Sequence, residues 1–241
     1  MAIRSSTESG VATVTIDRPE RRGAIDLEHL EAVHEAVSGA VDGGARAVVL
    51  TGVDGHFCAG ADLTTLEDVS FTVRLAEVLA HLAAVPVTTV AAISGSCMGL
   101  GMQLAVACDL RVVEDDARFA VPVARLGLMV DHWTLDRVGR YFGEGAAREM
   151  VLTGAVLTAD DAWRLGFAQR RGGLEAALEL AAAAVPLAPL SQSGSKLGLD
   201  VRVGDDLTDY RDAFARAWAS ADLVEGQRAF AERRPPRFAG R

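Results

Sequence analysis

The chain has 241 residues, 50% of them hydrophobic, and a formal net charge of −9. A chain of this length and apolar content buries a substantial core, which argues against disorder and favours one large domain, alone or with a smaller appendage. The acidic balance leaves no basic stripe that would neutralise a phosphate backbone, so nucleic acid is not expected as a partner.

The chain begins with a polar segment, residues 1–10, that has no apolar run typical of a signal peptide. No later apolar stretch reaches the roughly 18 residues that a membrane span requires. We therefore expect a soluble, cytoplasmic protein with no membrane span. The three cysteines are an odd number without C-x-x-C spacing, which indicates buried reduced thiols and predicts neither a disulfide framework nor a metal site.

The first predicted elements alternate between strand and helix. Residues 11–16, VATVTI, alternate in polarity as a half-buried strand does, and residues 47–50 form a second, more fully buried strand. Between them, Asp26 is a candidate N-cap for a helix that runs to a pair of glycines. Two histidines of this helix, His29 and His34, are five residues apart and so lie on different faces, which predicts surface histidines and not a metal pair.

The next elements continue the alternation. A buried strand at residues 87–93 leads into a glycine-rich turn at 94–101, and a short apolar helix to Ala107 and a strand at 110–113 follow, so this half of the chain is predicted to be α/β. The run GLGMQL has two glycines of a dinucleotide-binding loop, but leucine replaces the third, which argues against Rossmann-type binding.

Beyond about residue 131 the predicted elements are helices. A capping-box pattern, TADD, starts at Thr158, and two prolines within residues 186–189 interrupt an alanine-rich helix. No internal repeat or low-complexity linker divides the chain. We therefore expect a main core at residues 1–190 and a helical region at residues 191–241.

Two glycine-bearing turns each connect a buried strand to a helix. They are residues 56–63, HFCAGADL, and residues 94–101, SGSCMGLG. The first is similar to the F-x-A-G-x-D-L segment of the enoyl-CoA hydratase/isomerase (crotonase) family. The second, which continues as MQLAVACD, is similar to that family's N-G-x-x-x-G-G-G-x-x-L-A-x-x-C-D segment. Residues 19–25 resemble its R-P-E-x-R-N-A-L stretch and residues 230–238 its C-terminal tail, so the resemblance covers nearly the whole chain.

The resemblance implies a fold and an assembly. The fold is the α/β crotonase (ClpP-like) fold, a spiral of ββα units with a C-terminal helical trimerisation region. The implied assembly is a homotrimer or a dimer of trimers. The implied ligand is an acyl-CoA thioester, with coenzyme A bound as part of the substrate or ligand and not as a separate cofactor.

The chemistry of this family centres on one carbonyl oxygen. A thioester that loses its α-proton, or accepts a nucleophile at its β-carbon, develops negative charge on that oxygen, and two backbone N–H groups stabilise the enolate. The resemblance assigns these donors to Ala61 and Leu100, with the helix that begins at Gly99 directing its positive end at the same oxygen. Leu100 replaces the usual glycine. The alternative is that both turns only connect strands to helices.

The resemblance also implies contacts with coenzyme A. Arg22 is expected to face the phosphates; the alternative is that it is a solvated surface charge. At the position where the family has asparagine, this sequence has Gly23. Phe230 and Arg233 are expected to close over the coenzyme of the same or a neighbouring subunit. Four further residues are expected to line the nucleotide and pantetheine through backbone contacts: Ala24, Ala59, Asp62 and Leu63.

The two acid/base glutamates of family hydratases are missing. Aligned with the family's E-L-A, the sequence has Gln103; aligned with F-G-x-P-E-x-x-L-G, it has Val123. Because one positioned acid or base contributes about 10²–10⁴ in rate, efficient hydratase activity is not expected. Gln103 either orients a water or ligand, or is a polar residue satisfied within the turn.

One carboxylate remains as a candidate base. Asp131 resembles the position from which dienoyl- and enoyl-CoA isomerases take an aspartate, and a single carboxylate that acts first as base and then as acid moves a proton along an acyl chain. Asp131 also precedes a helix-like run, and simple N-capping explains it equally well. Trp133 beside it is expected to pack and not to contact substrate.

Two functions therefore remain open. The first is an enzyme of fatty-acid metabolism, an isomerase or weak hydratase or lyase, that stabilises a thioester enolate at Ala61 and Leu100 while Asp131 moves the proton. The second is a non-catalytic acyl-CoA-binding carrier or sensor that has lost hydratase activity. Binding of acyl-CoA is common to both.

Overall fold

A computed structural model describes residues 2–64 and 70–241. Six strands of this part of the chain form one sheet in the order β1-β2-β3-β4-β6-β9, and three form a second sheet in the order β5-β7-β8. The strands are β1 (Ile3–Glu8), β2 (Val11–Ile16), β3 (Ala47–Gly52), β4 (Thr88–Ile93), β5 (Ser96–Met98), β6 (Leu110–Val113), β7 (Arg118–Ala120), β8 (Leu157–Thr158) and β9 (Arg170–Arg171).

The described part of the chain also contains ten helices. They are α1 (Leu27–Asp42), α2 (Ser70–Ala84), α3 (Leu100–Ala107), α4 (His132–Phe142), α5 (Glu144–Thr153), α6 (Ala159–Arg164), α7 (Leu174–Ala184), α8 (Pro189–Asp200), α9 (Thr208–Trp218) and α10 (Ala221–Glu232). Short 3-10 helices lie at Pro19–Arg21 and Val123–Arg125.

The large sheet is parallel except at its first edge. β1 pairs antiparallel with β2, whereas β2, β3, β4 and β6 run parallel, with Val11 opposite Ala47 and Ala47 opposite Thr88. Parallel strands bring all their carboxyl ends to one edge, and ligands of open α/β sheets bind outside that edge. The turns that follow β3 and β4 therefore lie side by side there.

The sheet has apolar packing on both faces, as a parallel sheet requires. On one face the side chains of α1, α2 and α3 pack on the sheet in a core that includes Leu30, Leu79 and Leu104. On the other, alanines of α7 such as Ala177 and Ala181 pack against the valines of β2, β3, β4 and β6. Small alanine side chains let this helix lie close to the sheet.

Most predicted elements of the α/β half are present. Asp26 caps α1 by accepting the His29 N–H (3.0 Å), and Thr158 and Asp161 form the predicted capping box. The prediction of surface histidines was wrong, because His29 is half-buried beside Asp26 and His34 is half-buried against His81 of α2. Strand β1 and helix α2 were not predicted.

The three cysteines are buried and free, as predicted. Burial raises the pKa of the Cys58 and Cys108 thiols to about 12 and that of Cys97 well above its ordinary value. They are therefore thiols and not thiolates at neutral pH.

No single described helix is long and apolar enough to cross a membrane. Only α7 and α8 taken together, as a pair bent by 111°, have the length and apolar composition of a span among the described residues. Within the described ranges, no group of three or more His, Cys, Asp or Glu side chains is arranged to hold a metal ion.

The capping box of α6 is expected to make part of the stability depend on pH. Hydrogen bonds from Thr158, and a further one from Arg164, hold the pKa of the Asp161 carboxyl at about 2, below its ordinary 3.8. Because this pKa is depressed on folding, the carboxylate stabilises the fold above about pH 4 and loses that contribution as the pH falls toward 2. Thr158→Ala is expected to lower the free energy of unfolding by about 1 kcal/mol at neutral pH.

Urea denaturation of wild type and Thr158→Ala at neutral pH and near pH 2 measures this effect. The difference between the two proteins is expected to shrink at the lower pH. A difference of the same size at both pH values would contradict the role of the Asp161 carboxylate.

Candidate functional site

The two glycine-bearing turns pair with each other along their length. The N–H of Phe57 donates to the Ser94 carbonyl and the N–H of Cys58 to the Ser96 carbonyl, each at 2.9 Å, and the Met98 N–H donates back to Cys58 O at 2.9 Å. This is a short parallel pairing that continues beyond the ends of β3 and β4. It holds the residues after Cys58 next to the residues after Met98.

The peptide between Gly60 and Ala61 is fixed from its carbonyl side. The Gly60 carbonyl oxygen accepts the Ile25 N–H at 2.9 Å and the Cys58 thiol at 3.7 Å. Since the C=O and N–H of a trans peptide point in opposite directions, the Ala61 N–H points away from Ile25. Within residues 2–64 and 70–241 it donates to no protein acceptor.

The second amide belongs to the first residue of α3. Gly99 holds a φ of +50°, which favours glycine, and its N–H donates to the Ala120 carbonyl at 2.9 Å. The next N–H, on Leu100, is one of the orphan donors of a helix N-terminus and has no acceptor among the described residues. The Leu100 side chain, a bulky substitute for the usual glycine, is 3% exposed in the core.

The two turns are in contact where these amides lie. A Cβ built on Gly99 would be 4.0 Å from the Cα of Gly60. Ala61 and Leu100 border the same cavity of about 770 Å³. Two N–H groups that donate to no described residue and border one cavity are an arrangement suited to bind a carbonyl oxygen or an oxyanion.

The cavity wall is mainly apolar. Its side chains come from α2, from the turns and from the segment that precedes α4. Most of the wall consists of Leu63, Phe71, Val73, Leu75, Met98, Pro122, Val123, Leu126, Leu128, Met129 and Val130. Several of these are unusually exposed for their size, with Met129 at 86% and Val73 at 58%, so an apolar ligand would cover them.

Gln103 and Val123, which the sequence resemblance aligns with two hydratase glutamates, both line the cavity. Gln103 is 5% exposed and lies one turn into α3 from Leu100. Val123 is half-buried in a short 3-10 helix. Two described carboxylates line the cavity: Glu77, which pairs with Arg74 at 2.7 Å, and Asp131.

Asp131 caps α4. One carboxylate oxygen accepts the Thr134 N–H at 3.0 Å, and the other accepts the Thr134 hydroxyl at 2.7 Å and the Gln103 amide at 3.3 Å. The side chain is exposed at the cavity edge. The N-capping role that the sequence offered as one alternative is present, and the same carboxylate borders the cavity. Trp133 is half-buried and stacks with Arg137, whose guanidinium carbon is 4.4 Å from the ring centroid.

Three arginines lie near one another at residues 18–22. Arg18 is nearly buried and joins Asp26 (3.5 Å) to Asp62 (3.6 Å), so Asp62 is committed to an ion pair and to Thr64. The Thr64 hydrogen bonds lower the pKa of the Asp62 carboxyl. Arg22 is exposed, with a φ of +50°, and its side chain makes no ion pair with any described residue.

The other residues assigned to coenzyme A lie in three places. Ala59 and the half-exposed Leu63 line the cavity beside the first turn. Ala24 is half-buried, and its carbonyl accepts from the Arg18 side chain at 2.6 Å. Phe230, 88% exposed, and Arg233, at the end of α10, do not line the cavity of their own chain.

Sequence reasoning missed two parts of the site. Thr134 is fully buried and connects Gln103 to Asp131, yet nothing in the sequence distinguishes it from any helix threonine. The wall from α2 was also missed. Its apolar residues recur with helical spacing in residues 71–82, which is the signal that would have found this helix.

The fold is that of the crotonases. The chain superimposes on an enoyl-CoA hydratase/isomerase family protein from Hyphomonas neptunium with a TM-score of 0.91 at 30% identity, covering 100% of this chain and 98% of that one. It superimposes on an enoyl-CoA hydratase from Polaromonas sp. JS666 with a TM-score of 0.90 at 26% identity, covering 99% and 100% of the two chains.

Sequence comparison gives the family. A family model described as enoyl-CoA hydratase/isomerase matches residues 6–241. The chain is 41% identical over 233 residues to "Probable enoyl-CoA hydratase echA6" of Mycobacterium tuberculosis, covering 95% of this chain and 96% of that protein. It is 33% identical to "Enoyl-CoA hydratase domain-containing protein 2, mitochondrial" of Bos taurus, with 96% and 85% covered. The chain belongs to the enoyl-CoA hydratase/isomerase family.

Proposed function

We propose that this chain binds an acyl-CoA thioester with the thioester carbonyl oxygen between the N–H groups of Ala61 and Leu100. The observation that carries the proposal is that both amides lack a protein acceptor within the described residues and border one apolar cavity. Membership of the enoyl-CoA hydratase/isomerase family supports the thioester as the ligand class. The acyl chain lies along the apolar wall.

The coenzyme A part of the ligand extends past Ala59 and Leu63. Ala24 and Asp62 contribute backbone contacts, and the Arg22 guanidinium, which forms no ion pair with a described residue, binds the phosphates, for which its fork of donors is suited. Phe230 and Arg233 act on the coenzyme of a neighbouring subunit in a homotrimer or dimer of trimers. The exposure of Phe230 supports a contact outside its own chain.

The first candidate activity is a proton transfer of fatty-acid metabolism in the cytoplasm, as isomerase or as weak hydratase or lyase. The two amides stabilise the thioester enolate, and Asp131 takes a proton from one carbon and returns it to another. Its position in the cavity lining supports this role. Efficient hydration is not proposed, because Gln103 and Val123 supply no carboxylate.

The second candidate is a non-catalytic acyl-CoA carrier or sensor. It is favoured by the bonding of Asp131, both of whose oxygens accept hydrogen bonds from Thr134 while one also accepts from Gln103. A carboxylate held in this way acts as a helix cap. To act as a base, it would first have to break these hydrogen bonds.

Calorimetry with dodecanoyl-CoA is expected to show saturable binding of one ligand per chain. An absence of heat with every acyl-CoA tested would contradict both candidates. The candidates are separated by double-bond migration assays on wild type and Asp131→Asn. Asparagine keeps the helix cap, but its NH₂ group replaces an oxygen that accepts from Thr134 and Gln103, so the melting temperature of the variant is measured together with its turnover. If Asp131 is the base, turnover falls about 10²–10⁴-fold; unchanged turnover removes Asp131 from the mechanism.

A further inference from the structure

Two histidines meet where α1 packs against α2. The rings of His34 and His81 lie edge to face, with their centroids 4.3 Å apart. Ser38 links them, because its hydroxyl donates to the His34 carbonyl oxygen at 2.8 Å and its oxygen is 2.9 Å from Nε2 of His81. An ion pair joins the same two helices, with two Arg74 nitrogens 2.5 and 2.6 Å from the Glu31 carboxylate oxygens. The contact between α1 and α2 is therefore partly polar.

The hydrogen bonds of Ser38 fix which nitrogen of His81 carries the hydrogen. The single hydroxyl hydrogen of Ser38 is donated to the His34 carbonyl, so the Ser38 oxygen accepts from the His81 ring. Nε2 of His81 therefore carries a hydrogen, and a further proton would be added at Nδ1. Burial lowers the pKa of His81 below its ordinary 6.5, and His34 and Arg74 lower it further, against the opposite effect of Asp42.

His34 has no acceptor for a second ring hydrogen. Its Nδ1 is the only enclosed side-chain nitrogen or oxygen without a hydrogen-bond partner in the part of the chain that the structure describes. A protonated imidazole carries a hydrogen on both nitrogens, so protonation would leave an enclosed N–H unsatisfied. The described charged side chains that act on the pair are Glu31 and Asp42 from α1 and Arg74 from α2. Since Glu31 is already bonded to Arg74, the packed arrangement disfavours a positive charge on either ring.

Helix α2 carries the histidine contact on one side and part of the cavity wall on another. Arg74 and His81 are seven residues, or about two turns, apart, so both lie on the side that faces α1. Phe71, Val73 and Ala76 of the same helix line the cavity. Because packed helices shift as units, a loss of the contact with α1 moves the wall of the cavity.

We propose that the contact between His34 and His81 makes acyl-CoA binding depend on pH. The uncharged pair holds α2 in the position that bounds the cavity, and proton uptake by the pair releases α2 from α1 and weakens binding. The inference rests on the proposed binding of acyl-CoA in this cavity. A proton binds more tightly where the ring nitrogens reach water, so protonation favours the loosened arrangement, and bound acyl-CoA in turn opposes proton uptake.

The direction of the effect follows from the titration of His81. Because folding lowers the pKa of His81, its uncharged ring stabilises the packed arrangement fully above about pH 6.5. This contribution is lost as the pH falls from there toward the lowered pKa. Acyl-CoA is therefore expected to bind more weakly in mildly acidic solution than at neutral pH.

The affinity ratio between neutral and acidic pH tests this proposal. Calorimetry would measure dodecanoyl-CoA binding at about pH 7.5 and about pH 5.5, on either side of the ordinary histidine range, in wild type and in His81→Gln. The glutamine amide donates to Ser38 as Nε2 does and takes up no proton. The ratio is expected to be about three- to tenfold larger in wild type, the value of one net hydrogen bond. Because a phosphate of coenzyme A also titrates near pH 6, the comparison is made between proteins.

A second variant and a control accompany His81→Gln. His34→Phe keeps a ring at this position and removes both nitrogens, so the basic neighbour of His81 is lost and the pH ratio is expected to shrink here too. His132→Gln is the matched control. His132 is exposed and lies outside the contact between α1 and α2, so this variant is expected to keep the wild-type ratio.

The outcomes separate this inference from the proposed function. If dodecanoyl-CoA binds and the pH ratio keeps its wild-type value in His81→Gln, the inference is wrong while acyl-CoA binding stands. His34→Phe gives an independent result should His81→Gln fold poorly, because an unchanged ratio there also contradicts the inference. An equal loss of the ratio in His132→Gln would place the titration outside the pair and overturn it as well. If no acyl-CoA binds to wild type at either pH, the proposed function fails and the inference falls with it.

Discussion

Replacement of Leu100 by proline is expected to weaken acyl-CoA binding about tenfold, because it deletes one of the two proposed carbonyl donors. Leu100 is the first residue of α3, the helix position at which proline is tolerated, since its N–H is not part of the helix ladder. The helix therefore remains while its free amide is lost. If the chain has an activity that passes through an enolate, the rate is expected to fall about 10²–10³-fold.

Leu100→Ala is the matched control for this prediction. Both variants lose the buried leucine side chain, which is 3% exposed, and both are expected to be less stable by about 2–5 kcal/mol. Only the proline variant loses the N–H. The infrared carbonyl frequency of bound dodecanoyl-CoA is expected to be lowered in wild type and in Leu100→Ala and to move back toward its value in water in Leu100→Pro. The same frequency in both variants would exclude the Leu100 amide as a donor.

Glycine patterns made the two turns predictable from sequence. Gly60 and Gly99 have φ values of +123° and +50°, which L-residues rarely adopt, so glycine at these positions carries information about backbone geometry. The pairing of the turns also follows from sequence logic, because each comes after a buried strand and parallel strands end at the same edge of a sheet. Gln103 and Val123, singled out by alignment with the two glutamates, both line the cavity.

The cavity wall could not be predicted from the sequence, for a physical reason. It combines residues of α2 with residues 122–131, and these segments meet only through tertiary packing. β1 was missed because five of its six residues are exposed, so that an edge strand with little apolar patterning looks like a polar terminus. The link from Gln103 through Thr134 to Asp131 joins α3 to the start of α4, across 28 to 31 positions of the sequence, and no local pattern connects these residues.

Alanine at Gly101 is expected to separate the two turns and to abolish tight acyl-CoA binding. A Cβ built at this position in α3 would lie 2.3 Å from the carbonyl oxygen of Cys58 and 2.9 Å from its Cβ. The first of these atoms is backbone and cannot rotate away, so the segment that carries Ala61 must move relative to Leu100. Overpacking of this kind costs typically about 1–3 kcal/mol, more than the roughly 1 kcal/mol that alanine gains over glycine in a helix.

Gly139→Ala provides the opposite case with the same chemical change. Gly139 lies inside α4 with no atom within 4 Å of a built Cβ, so only helix propensity acts and the variant is expected to be about 0.5–1 kcal/mol more stable than wild type. Urea denaturation and dodecanoyl-CoA calorimetry on the two variants would give stability and affinity together. Gly101→Ala with wild-type stability and affinity would mean that the turns tolerate separation, and that the contact between residues 58 and 101 does not set the spacing of the two amides.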